Sequence, residues 1–224
     1  MDLIAYLIVP LLLGLWAQWK VKSTFARWSQ VGSRSGVSGA EAAERLLRAA
    51  GVTGVTIERT EGVLTDHYDP STKTLRLSAD NHDGASVAAL GVAAHEAGHA
   101  IQHARAYAPL RMRSTLVPLT VVANQVAFFA MLLGAYLASQ GGNALILNLA
   151  IGAYAVITLF TLVTLPVEFD ASARARQALL STGLLTREED KGAAEVLDAA
   201  AWTYIAAFVA ALGNLVYLLG RREE

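Results

Sequence analysis

The chain contains no cysteine, so no disulfide can staple it, and any metal it holds must sit on imidazole or carboxylate groups. Charge is scarce as well. Only 17% of the 224 residues are charged while 54% are hydrophobic, a balance too apolar for an ordinary soluble domain and one that points to a bilayer. The scarcity is concentrated, since residues 114–167 carry no Asp, Glu, Lys or Arg at all. A formal net charge of −1 supplies no overall field for gathering nucleic acid, and no such partner is expected. Internal repeats and low-complexity tracts are also missing. The length leaves room for one or two domains.

What is present is hydrophobic length. A helix crossing the hydrocarbon core needs about 20 apolar residues. Segments 3–19, 116–137, 144–165 and 200–219 meet or approach that. The first is short, but Trp16 and Trp19 followed by Lys20 and Lys22 make the aromatic and cationic border of an interface. A signal peptide would carry a cation before its apolar run and an A-x-A site after it; here Asp2 precedes and no such site follows, so a retained anchor is expected. Lys20, Lys22, Arg27 and Arg34 follow the first segment, Arg105, Arg111 and Arg113 precede the second, and Arg174, Arg176 and Arg187 follow the third. The connection "ASQGGN" between the second and third is uncharged. By the positive-inside rule, 20–115 and 166–199 face the cytoplasm. Arg221 and Arg222 dissent from a four-span scheme, and Glu223 and Glu224 do little to offset them.

Outside these segments the pattern changes. "SGAEAAERLLRAA" (38–50) reads as a helix with Ser38 as N-cap, Glu41 closing a capping box and Gly51 as the stop. "GVTIERT" and "TKTLRLS" alternate as strands, with Asp-Pro turn chemistry in "DHYDPST" between them. A helix is expected over 85–104, capped by Asn81 or Asp83. Residues 21–37, rich in Ser and Gly, read as a connector.

Three of the five histidines fall on one stripe of that helix, in "GVAAHEAGHAIQHA". His95, Glu96 and His99 form H-E-x-x-H, which places two imidazoles one turn apart on one face, able to converge on one cation. Zinc takes neutral imidazole at about 2.0–2.1 Å and keeps one position for water in catalytic sites. Glu96, beside the first ligand, can take a proton from that water. Gly98 lets another backbone pass close to the helix, although it costs about 1 kcal/mol of helix propensity. Two histidines leave zinc under-ligated. Glu168 in "LPVEFDASARARQALL" is the best third ligand, because an out-and-back pair of spans returns it to the side on which His95 and His99 lie. Asp170 competes, but residues two apart on a helix point away from each other, so only one can face the metal. Ser172, one turn past Glu168, can hydrogen-bond a ligand imidazole's other nitrogen. His103, two turns (about 12 Å) from His95, is too far to share the ion and reads as structural. An oxyanion donor could come from His67, Tyr68 or Arg174; a turn that caps its own backbone explains "DHYDP" equally well.

At these residues the chain resembles the bacterial membrane-embedded neutral zinc metallopeptidases, related more distantly to heat-shock membrane proteases and CAAX prenyl proteases. The marks are "DHYDPSTKTLRLS", "AAHEAGHAIQHA" and "LPVEFDASARA", in that order among hydrophobic segments and covering nearly the whole chain. The resemblance implies a gluzincin site, with His95, His99 and Glu168 on Zn2+ and Glu96 as base. It also implies a strand ahead of the active helix, "TLRLS", that receives an extended peptide. The distant relatives place Asp four residues after the glutamate ligand, where this chain has Ser172.

The expected architecture is therefore a mainly α membrane protein with about four transmembrane helices and a small α+β, zincin-like cytoplasmic domain, its short sheet ahead of the active-site helix. The expected divisions are an anchor (1–20), the catalytic domain (21–115), a transmembrane hairpin (116–165), a cytoplasmic helix carrying the third ligand (166–199) and a last transmembrane helix with its tail (200–224). The expected function is zinc-dependent endoproteolysis of membrane or membrane-proximal polypeptides at the cytoplasmic face of the bacterial inner membrane. The rival reading is a zinc-stabilised scaffold, against which Glu96 counts, since holding metal does not require it. Cleavage within a span is disfavoured because "QHARAYAPLRMR" is too polar for the bilayer core.

Overall fold

The computed structural model describes residues 3–63, 65–138 and 144–222. The readings that rest on Asp2, on most of "ASQGGN" and on Glu223 and Glu224 lie outside them. In chain order the elements are α1 (Leu3–Ser29), α2 (Gly39–Ala49), β1 (Thr56–Thr60), β2 (His67–Asp69), β3 (Thr74–Ser78), α3 (Ala79–His82), α4 (Val87–Ala104), α5 (Ala108–Ala138), α6 (Ala144–Ser181) and α7 (Arg187–Arg222). The described residues are mainly helical with one three-stranded sheet, ordered β1-β3-β2. Among them three helices, α5, α6 and α7, are long and apolar enough to cross a membrane. Large apolar side chains on them, including Phe128, Phe129, Met131 and Leu162, face outward rather than into the protein.

Local chemistry sets most boundaries. Ser38 caps α2 by accepting from the Glu41 amide at 3.2 Å. The Glu41 carboxylate pairs with Arg45 one turn on and does not close the box. Gly51, at φ +70°, ends the helix in the left-handed region that glycine enters without penalty. The cap of α4 differs from expectation: Ser86 accepts from the Ala89 amide at 3.1 Å. Asn81 is buried instead, donating to the Asp66 carboxylate at 2.9 Å, and Asp83 follows the short helix α3. The expected connector is also shorter, because α1 continues helically through Ser29.

The core gathers around α4. Leu75 and Leu77, alternate residues of β3, join Leu46 of α2, Leu90 of α4 and Leu179 of α6 in one buried cluster. Each such leucine contributes roughly 1.5–3 kcal/mol by leaving water. The third apolar segment and the expected ligand helix are one element: α6 runs unbroken through Pro166, which only forgoes one rung of its hydrogen-bond ladder. At 38 residues it is about 57 Å long, far more than the roughly 30 Å of a hydrocarbon core, so one end projects well beyond a bilayer. α1 runs antiparallel to α7. Trp28 donates to Glu195 at 3.0 Å near one end, and Trp16 meets Trp202 edge-on at 5.1 Å further along, with the Lys20 ammonium over both rings.

α4 and α6 cross closely. A Cβ on Gly98 would lie 2.7 Å from the carbonyl oxygen of Ala171. Backbone cannot yield as a flexible side chain can, so Gly98→Ala should force the helices apart at a cost of about 1–3 kcal/mol, read as a lower thermal midpoint. Gly152→Ala, with open space around its Cβ, is the matched control and should be neutral or slightly stabilising.

Candidate metal centre

The crossing brings together residues 73 positions apart in sequence. From α4, the Nε2 atoms of His95 and His99 point at one oxygen, Oε2 of Glu168 on α6, at 3.1 and 3.5 Å. The two imidazoles stand nearly perpendicular, 4.7 Å between centroids. One ligand atom from each of the three residues falls within a 4.8 Å sphere of the others. Glu168 is 2% exposed and His99 8%. Glu96, also buried, lies on α4 beside them.

Both imidazoles are held from behind. Nδ1 of His95 is 3.2 Å from Oγ of Ser172, and Nδ1 of His99 is 3.0 Å from Oε1 of Gln102. A ring whose Nδ1–H donates in this way carries its lone pair on Nε2, the atom turned toward Glu168. Gln102 is fully buried and ties the two helices together, donating to the Val167 carbonyl and to Asp170, each at 2.8 Å. Asp170 is thus turned away from the cluster, as the helical offset requires, and Arg174 grips it at 2.5 and 3.1 Å.

Three residues of this centre are not evident from sequence pattern. Gln102 follows His99 by three positions, a helical neighbour whose amide offers no motif. Arg113, which reads in sequence as one of the flanking cations, places Nη1 3.2 Å from Oε1 of Glu168. Tyr204 of α7 lies close enough to Glu168 and Glu96 to feel both charges. Arg113 and Tyr204 come from helices whose approach no local signal encodes.

Other anticipated residues are engaged elsewhere. His67 is exposed, and its Nδ1 donates to the Thr65 carbonyl at 2.8 Å. The Tyr68 hydroxyl meets Nδ1 of His103 at 2.9 Å, which gives His103 a partner away from the metal cluster. Burial pushes the Tyr68 phenol up, and the neighbouring Asp69 charge adds to it. Ser71 and Thr72 hold the Asp69 carboxyl well below the usual carboxylate range, so this turn does cap its own backbone. The strand expected to receive substrate is a correction. "TLRLS" is β3, the middle strand, paired in parallel with β1 and antiparallel with β2. Asp66 takes the Ser78 amide at its end. Both sides are occupied, and the edges of the sheet are β1 and β2.

A family model described as "Putative neutral zinc metallopeptidase" matches residues 3–222. The chain belongs to that family. It is also 41% identical, over 222 residues and 97% of each chain, to a Bacillus subtilis (strain 168) protein named "Putative membrane protease YugP". No solved structure matches.

The donor set fits the zinc that this metallopeptidase family implies. Two neutral imidazole nitrogens and a carboxylate oxygen are a combination zinc favours at catalytic sites. Arg113 Nη1 faces Oε1 of Glu168 at 3.2 Å, while Oε2 is the oxygen both imidazole nitrogens face, so the three candidate donor atoms converge on the side away from the guanidinium. Burial alone would keep His99 neutral, yet the Glu168 and Glu96 carboxylates outweigh it and raise its pKa. A proton is thus drawn to the atoms where a metal would sit. His99→Ala and Glu168→Ala should abolish bound zinc, measured by elemental analysis of the purified protein. Gln102→Ala and Ser172→Ala should weaken zinc about 10–100-fold in a chelator competition.

Proposed function

We propose that the protein is a zinc-dependent endopeptidase of the cytoplasmic membrane, acting from the cytoplasmic side on membrane or membrane-proximal polypeptides. The observation that carries this reading is the convergence of His95, His99 and Glu168 beside a buried Glu96 that metal binding alone does not need. His95, His99 and Glu168 would hold the zinc of a gluzincin site, and the ion would supply Lewis-acid polarisation of a carbonyl and acidification of water. Glu96 takes the proton of the attacking water and passes it to the leaving amine. Ser172 and Gln102 keep the two rings in the required tautomer. Tyr204, which interacts with Glu168 and Glu96, is the hydroxyl assigned to the developing oxyanion. An extended peptide adds to the outer edge of β2, whose inner edge alone is spoken for by β3.

Membrane placement draws on four features. α5, α6 and α7 have the length and composition of spans. The pair Trp16 and Trp202 under Lys20 has the chemistry of an interfacial belt, and Tyr204 is only two residues from it. α1, packed along α7 with Leu11, Leu12 and Leu15 turned outward, serves as the fourth span. The excess of Lys and Arg flanking the sheet domain and α6 supports a cytoplasmic position for that end.

Glu96→Gln should retain zinc and lose hydrolysis of an unfolded protein by several orders of magnitude; full cleavage by that variant removes Glu96 from the mechanism and favours a zinc-stabilised scaffold. Tyr204→Phe should lower kcat about a hundredfold with little change in zinc content. Because the chain has no cysteine, a single Glu44→Cys on the exposed side of α2 reports sidedness. It should resist an impermeant thiol reagent in intact cells and react once the inner face is opened.

A further inference from the structure

We propose that Arg113 is a positioning residue that keeps Glu168 to a single ligand oxygen, so that the place zinc reserves for water stays free. This rests on the zinc hydrolase reading above and gives a task to a residue outside the three metal ligands.

The Glu168 carboxylate is divided between two kinds of neighbour. Its Oε2 belongs to the imidazoles of His95 and His99, and its Oε1 to the guanidinium of Arg113. The Arg113 contact is an ion pair and not an aligned hydrogen bond, so charge holds that oxygen. Glu168 is almost wholly buried, while the Arg113 side chain keeps part of its surface in the open.

Metal binding alone does not call for Arg113. A guanidinium carries its charge at any working pH, and so close to the ligand cluster it repels the dication that the cluster would gather. Nor is a counter-charge for Glu168 sufficient reason, because the metal itself supplies one. What the guanidinium adds is control over the second oxygen. A carboxylate can ligate through one oxygen or through both, and a catalytic zinc needs one of its positions open. Tilted, Glu168 could bring Oε1 in beside Oε2. Arg113 draws Oε1 the other way, away from the side where the donor atoms converge.

The backbone sets Arg113 in that place. α4 ends at Ala104, and the reversal into α5 passes through Ala106 at φ +51°, a left-handed conformation usually left to glycine. The Tyr107 amide closes the turn on the Gln102 carbonyl at 3.0 Å. α5 then packs along α6, the helix of Glu168, and Arg113 lies in its second turn. The same charge also acts on Tyr204.

The test uses the full-length protein loaded with zinc in lipid nanodiscs, read by X-ray absorption at the zinc edge. A carboxylate that grips through both oxygens brings its carbon closer to the ion, which the spectrum records. Arg113→Met keeps an unbranched side chain and removes the charge; Arg113→Lys keeps the charge. Arg113→Met should retain zinc with the carboxylate carbon drawn inward, whereas Gln102→Ala and Ser172→Ala should weaken zinc. Its kcat on an unfolded protein should fall about a hundredfold. Arg113→Lys should restore the original carbon distance and much of the rate. An unchanged carbon distance in Arg113→Met overturns the proposal, whatever the activity. Loss of zinc from Arg113→Met overturns it too, since Arg113 would then serve the fold or the metal itself. The expected shift with no hydrolysis by the unmodified protein would instead sink the hydrolase reading and leave the role of Arg113 standing. An unmodified protein that takes up no zinc overturns both.

Discussion

One backbone approach organises this molecule: the crossing of α4 and α6 where Gly98 faces the carbonyl of Ala171. His95 and His99 stand three positions before and one after Gly98. Glu168 and Ser172 stand three before and one after Ala171. The four side chains therefore sit at matching offsets around the point of closest contact, the ring of each histidine reaching Glu168 and the back of His95 reaching Ser172. A methyl group at that point would separate all four at once. Helix propensity argues against glycine there by about 1 kcal/mol, and the close crossing is what offsets that cost.

Around this contact the protein arranges its few charges with economy. Glu168 enters a nearly dry position because two imidazoles and Arg113 face it. Asp170 cannot share that task, since its place on α6 turns it aside, and it orients Gln102 instead, which in turn holds His99. Arg174 completes the chain of contacts by fixing Asp170. A line of polar groups thus runs from the surface of α6 to the back of the His99 ring, each member satisfied by the next. In a low-dielectric setting such a line fixes orientation well, because any gap in it leaves an unpaired buried group.

The length of α6 links these features to the bilayer. A helix of about 57 Å outlasts the hydrocarbon core, so the element with the length and composition of a span also carries Glu168 and the residues that support it. The small sheet is attached elsewhere on α4, through Leu75, Leu77 and the Tyr68–His103 contact, with β2 at its edge.

Much of this was legible in the residue order. The periodic spacing of His95 and His99, the caps at Ser38 and Gly51, the apolar runs and the return of Glu168 to the first side are consequences of helix geometry and hydrophobic length, which act locally. Several features were not. Ser86 in place of Asn81 or Asp83 as a cap, the interior position of "TLRLS", the engagement of Tyr68 with His103 and the arrival of Gln102, Arg113 and Tyr204 at the centre depend on which surfaces meet. The sequence alone determined that two imidazoles would share a helical face within a chain rich in spans, because 3.6 residues per turn and the cost of charge in lipid leave little choice. Only the tertiary structure decided which groups would stand behind and opposite them, because strand order and helix crossings follow from packing between segments far apart in the chain, and no local pattern records that.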